Sequence, residues 1–170
     1  MQAILHTYFG QIEAKKTEFI SRVLSYSEEE RNRQPKQGEW SPAQMADHLV
    51  FYENWLMAGS LKAIEAGESM KHGIPASLFT GLLRFMIGLN RRVGTLKQFE
   101  PAVEVNLTAK LEEWEDIRKN IRARLDEITS TQINHAFTIH PFAGPMNATC
   151  TLELISLHLD YHLKYLVKKA

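Results

Sequence analysis

Little in this 170-residue chain pulls it toward the more specialised protein classes. It has one cysteine, Cys150, so no internal disulfide can form, and a lone thiol suits a reducing compartment. Net charge is absent as well. Lys plus Arg and Asp plus Glu number 20 each, which removes the long-range attraction that phosphate backbones and anionic lipid demand. The nearest basic grouping, Arg84, Arg91, Arg92 and Lys97, is sparse, and neither nucleic acid nor membrane is expected as a partner. The most apolar window, ASLFTGLLRFMIGL, is broken by Thr, Gly and Arg and is too short to span a bilayer. The N-terminal residues show no basic stretch followed by an unbroken apolar run, so no signal peptide is read. A cytoplasmic location is the expectation. P-loop, GxGxxG and Ser-His-Asp patterns are missing, as are repeats, low-complexity tracts and alternation long enough for a useful strand.

What is present is helical periodicity. Apolar residues recur three and four apart over about 3–24, 42–66, 108–128 and from 147 or 149 to about 168. The second helix has the clearest start: Ser41 at the N-cap, Pro42 at the first helical position, Gln44 where a capping box requires it, and Trp40 and Met45 at the staple positions. SYSEEERNRQPKQGEW reads as a connection. Residues 68–106, broken by glycines and prolines, read as a long crossover in which Ser77 to Arg91 suits one short apolar helix. The expected fold is all-α, a four-helix bundle forming a single domain over 1–170, with the crossover between the second and third helices.

The histidines stand out within this frame. A helix turns by about 100° per residue, so His158 and His162 in LHLDYHLKYL lie within about 40° of one another, on the face carrying Leu154, Ile155 and Tyr165. Asp160 and Lys164 fall opposite. On the second helix His48 shares its face with Gln44, Met45, Phe51, Tyr52 and Trp55. Three imidazoles therefore point inward from two helices. Imidazoles four apart on one helix can reach one ion, and a third from a neighbour with one position left open is a form that catalytic zinc takes. Periodicity alone leaves two readings, a metal site or three core histidines satisfied by hydrogen bonds. Imidazole also suits several metals: zinc or nickel come first, with iron, cobalt or manganese as alternatives.

GEWSPAQMADHL (38–49) and HPFAGPMNATCTLELISLHLDYHLKYL (140–166) resemble two segments of the DinB-like superfamily, and EEERNRQP resembles its first connection. In that family a Trp-Ser step precedes a helix bearing the first metal histidine, and a His-Pro with a glycine turn leads into a helix bearing the other two. The resemblance implies His48, His158 and His162 as metal ligands, an up-up-down-down type of bundle, and a homodimer. It covers most of the chain except Ser69 to Asn106, which match no motif. It implies a metal-dependent enzyme acting on a small molecule, by thiol-dependent S-transfer to an electrophile with a low-molecular-weight thiol as co-substrate, or by hydrolysis. A non-catalytic metal-binding or stress-related bundle is the alternative.

No catalytic side chain is assigned. Tyr52, Trp55, Tyr161 and Tyr165 lie on the histidine faces and are candidates for a pocket wall, with ordinary bundle core as the plainer reading; Tyr161 flanks both histidines of its helix. His140, before Pro141, could reach a site mouth, although a structural turn is favoured. Cys150 reads as a small core residue, and His6, His72 and His135 as surface or loop residues. Hydrogen-bond acceptors for the ligand imidazoles are expected. The sequence does not identify them, since Asp47 and Asp160 point away from the histidine faces.

Overall fold

A computed structural model describes residues 1–65, 74–88 and 97–166. The chain is mostly helical, as the periodicity requires. Helix α1 spans Ala3–Leu24, α2 Glu28–Asn32, α3 Pro42–Glu65, α4 Ile74–Gly88, α5 Leu107–Glu127 and α6 Ala148–Tyr165. A 3-10 turn occupies Lys97–Phe99, and two short strands, β1 (Thr138–His140) and β2 (Gly144–Met146), pair antiparallel. The long helices α1, α3, α5 and α6 match the four read from the sequence to within a few residues. Residues 167–170, where the fourth was to end, lie outside the described residues.

Three features differ from expectation. The connection after α1 contains α2, a five-residue helix started by a capping box: the Ser27 hydroxyl accepts from Glu30 N–H while the Glu30 carboxylate accepts from Ser27 N–H. The apolar helix of the crossover begins at Ile74, ahead of Ser77, and the expected end at Arg91 falls outside the described residues. The segment before α6, read as loop, forms a hairpin whose second strand opens at Gly144, φ +72°.

Helix α1 packs along α6 and α3 along α5, while α3 also meets α6 and the hairpin. Leu5, Ile12, Phe19 and Val23 from α1, Leu49, Val50 and Leu56 from α3, Trp114, Ile121 and Leu125 from α5, and Leu152, Leu154 and Leu159 from α6 form one core. The Ser41 capping box is present in full, with Gln44 N–H donating to Ser41 Oγ and Ser41 N–H donating to Gln44 Oε1. Every residue from Ser41 to Val50 is buried. This differs from an amphipathic helix with one wet face: the start of α3 is enclosed on all sides, so its polar residues need protein partners. The hairpin is seated against α3 at Gly59, where an added Cβ would lie 2.5 Å from Thr138 Oγ1, and Thr138 Oγ1 donates to Leu56 O at 2.8 Å. Among the described residues no helix is long and apolar enough to cross a membrane.

Candidate metal centre

The buried start of α3 and the C-terminal half of α6 bring His48, His158 and His162 together. His48 Nε2 lies 3.0 Å from His158 Nε2, and His162 Nε2 lies 3.1 Å from the same atom. One ligand atom from each ring falls within 4.8 Å of the others. His48 and His162 are each 4% exposed.

Electrostatics hold the cluster neutral. Burial lowers the pKa of His158, and the neighbouring His162 and His48 lower it further; His162 is lowered by burial and then by His48. For His48 burial again dominates, partly opposed by its bond to Phe99 and by the charge of Asp47. The His48 Nδ1–H donates to the Phe99 carbonyl at 2.7 Å, so its proton sits on Nδ1 and its Nε2 presents a lone pair toward His158.

Aromatic rings wall the cluster. Trp40 packs on His48 with ring centres 4.7 Å apart and stacks on His162 at 6.1 Å. Tyr52 meets His158 edge-on at 4.4 Å, and burial raises its phenol pKa. Trp55 lies one ring further, against Tyr52 at 5.9 Å and His140 at 5.5 Å. On the other side Tyr161 meets His162 at 5.1 Å and Tyr165 meets Tyr161 at 5.1 Å. A cavity of about 660 Å³ opens behind Trp40, lined also by Tyr26, Arg33, Met45 and Tyr165.

The DinB superfamily profile matches residues 11–166. The chain belongs to the DinB superfamily. No curated protein and no solved structure matches it. As a DinB chain it carries the three histidines on the two helices where its sequence places them, and their chemistry fits a divalent ion. All three are neutral, as ligands must be. The two separations from His158 Nε2, 3.0 and 3.1 Å, are close to those of nitrogens sharing an ion at roughly 2.0–2.1 Å from each. The His48 ring is tautomer-locked by a backbone carbonyl in the manner of metal-bound imidazoles. His158 Nδ1 is buried with no partner among the described residues.

The other candidates divide. Tyr52 and Tyr161 touch the histidine rings, while Trp55 and Tyr165 stand one ring away. His140 ends β1 and braces the hairpin turn: its Nδ1 accepts from the Phe142 and Ala143 amides at 3.3 and 3.2 Å, and burial lowers its pKa to about 4. The Cys150 thiol donates to Ala76 O at 3.8 Å, and burial raises its pKa, so it is a protonated core group. His6 is exposed, His135 half-buried, and His72 lies outside the described residues. Asp160 pairs with Lys15 at 2.6 Å, away from the cluster.

Two neighbours of the cluster escaped the sequence reading. Trp40 had been assigned only to the helix start, although its position one residue before the cap of the His48 helix was a usable signal. The Phe99 carbonyl carried no signal at all, because every residue has one.

Proposed function

We propose that this DinB protein binds a divalent metal ion, zinc or nickel before iron, cobalt or manganese, through His48, His158 and His162. We further propose that it is a single-domain, cytoplasmic, homodimeric enzyme acting on a small molecule. The convergence of three neutral imidazoles, two of them buried and His158 half-buried, carries this reading. An ion held there supplies a Lewis acid that lowers the pKa of a water or thiol bound beside it. The first choice of reaction is S-transfer from a low-molecular-weight thiol to a small electrophile, and hydrolysis is the second. Tyr52, with its phenol kept protonated, would donate a hydrogen bond to a bound group beside His158. Trp40, Tyr161 and Tyr165 would form the apolar wall, and the cavity behind Trp40 is of the size that small ligands fill.

The near-complete enclosure of His48 and His162 favours a second reading, in which the ion is structural and the bundle non-catalytic. Metal analysis of protein purified without a nickel column separates these from a metal-free bundle. About one equivalent is expected in the wild type and almost none in His158→Ala; equally low content in both would sink the site. Conjugation of a model electrophile to cellular thiols, with and without added metal, then tests S-transfer. Turnover no faster than with metal-free protein would count against that reaction and leave hydrolysis or the structural reading.

A further inference from the structure

Three polar residues at the start of α3 reach one short segment of chain. Gln44 Nε2 donates to Ala102 O at 3.1 Å, Ala102 N–H donates to Asp47 Oδ2 at 2.9 Å, and His48 Nδ1–H donates to Phe99 O at 2.7 Å. Residues 97–102 thus lie across α3 as a strap, clasped at both backbone groups of Ala102, three residues beyond the carbonyl that holds His48. Gln44, Asp47 and His48 are 8%, 7% and 4% exposed, so water competes little for these bonds. The Phe99 ring is packed on Phe51, Tyr52 and Trp55, which fixes the strap from the other side. Asp47 also meets Lys110 of α5 at 3.2 Å.

A carbonyl accepts but cannot donate, so it selects the His48 tautomer with a proton on Nδ1 and a free Nε2. That selection lasts only while the strap stays in place. We infer that Asp47 is a positioning residue for the metal centre: through the Ala102 amide it holds the Phe99 carbonyl against His48 and so aims that ring's Nε2 at the ion. The inference rests on the reading that the three histidines hold a divalent ion. Asp47 itself touches neither ion nor ligand ring. Its helical phase points away from the cluster; apart from the charge it places near His48, its hold on the ring runs through backbone.

The test compares wild type, Asp47→Ala, Asp47→Asn, Lys110→Met and His158→Ala. Two quantities are measured: zinc affinity, by competition with a chelating dye, and the nitrogen shifts of the His48 ring in metal-free protein. Asp47→Ala is expected to bind zinc ten- to a hundredfold more weakly, the loss usual for a ligand's outer support. Its His48 should also change from one tautomer to a mixture. Asp47→Asn, whose amide oxygen still accepts from Ala102, should recover most of the affinity. Lys110→Met, which removes the charge pair and leaves the clasp, should bind as wild type does. Unchanged affinity and tautomer in Asp47→Ala overturn the inference, as does a loss in Lys110→Met equal to that in Asp47→Ala. Should Asp47→Ala fail to fold, Ala102→Pro deletes the donating amide from the strap, and the same two readings decide. Wild type binding no better than His158→Ala refutes the metal reading instead, and the ring shifts still show whether the strap sets the tautomer.

Discussion

Helix α3 feeds two buried polar clusters. One gathers Glu53 of α3, Arg118 of α5 and Glu13 and Lys16 of α1: Arg118 Nη2 donates to Glu53 Oε1 at 2.6 Å, and Glu13 receives Arg118 Nη1 at 3.3 Å and Lys16 at 3.2 Å. The other is the histidine cluster, begun by His48 five residues earlier and so roughly 140° around the helix. Both are deeply enclosed, with Glu53 and Arg118 at 1% and 2% exposure. Neither is fully paired, since Glu53 Oε2, Arg118 Nε and His158 Nδ1 have no partner among the described residues. Their chemistry differs. In the charge cluster burial pushes the Glu53 carboxyl up and Arg118 pulls it back, so unlike groups answer one another's desolvation. In the histidine cluster every group is a base, and the neighbouring rings make protonation of His158 and His162 harder. The first closes on itself and fastens three helices. The second has no such internal counter-charge and could hold a metal ion, which is why the proposed function rests on it.

The largest effect that would break this contrast comes from Arg118→Ala, which strands Glu53 in the core. A loss of about 3–5 kcal/mol is expected in urea denaturation, because one member of a buried pair is left uncompensated. A loss below 1 kcal/mol would mean that the charge cluster is not a structural fastener.

A smaller effect sharpens the other side. The pKa values of His48, His158 and His162 are lowered from the ordinary 6.5, and that of His140 to about 4. Above pH 6.5 the folded and unfolded chains are both neutral at these rings, and no penalty exists. As pH falls below 6.5 the unfolded chain takes up protons that the folded chain refuses, so stability falls. A ring that stays neutral in the folded chain adds a slope of about 1.4 kcal/mol per pH unit, and for His140 the fall levels off near pH 4. Denaturation of metal-free protein from pH 8 to 5 should show this decline, and His158→Leu should flatten it. Parallel profiles for the two proteins would contradict a neutral buried cluster.

The smallest effect lies at the rim of the charge cluster. Lys16 pairs with Glu115, which is 55% exposed, at 2.9 Å. Glu115→Gln should change stability by no more than about 1 kcal/mol in the same denaturation assay. A larger loss would extend the fastener to the surface.

Sequence alone revealed one of these clusters better than the other. The histidines were legible because helical phase turns spacing into direction, and two helices agreed. Glu53 and Arg118 were not, because a charged residue off the apolar face is ordinarily solvated; only packing shows that α3 is enclosed on several sides. The four long helices follow from period and caps. The α2 helix is too short for a period, though Ser27 and Glu30 spelled out its capping box. The hairpin at 138–146 has three-residue strands containing Pro145, too little for alternation to register. The strap over His48 works through backbone atoms, to which side-chain patterns are blind.

His48 and His158 are separated by 110 residues of chain. Closing so long a loop costs entropy before any contact between its ends repays it. The three nitrogens meet only when α3 and α6 pack, and the expectation is that this follows a transition state built from local helix contacts. An ion captured at that point has little left to accelerate. If the proposed ion binds, its influence falls on the reverse step, since it would have to be released before the two helices separate. In a chevron plot the metal should leave the folding arm where it was and lower the unfolding arm.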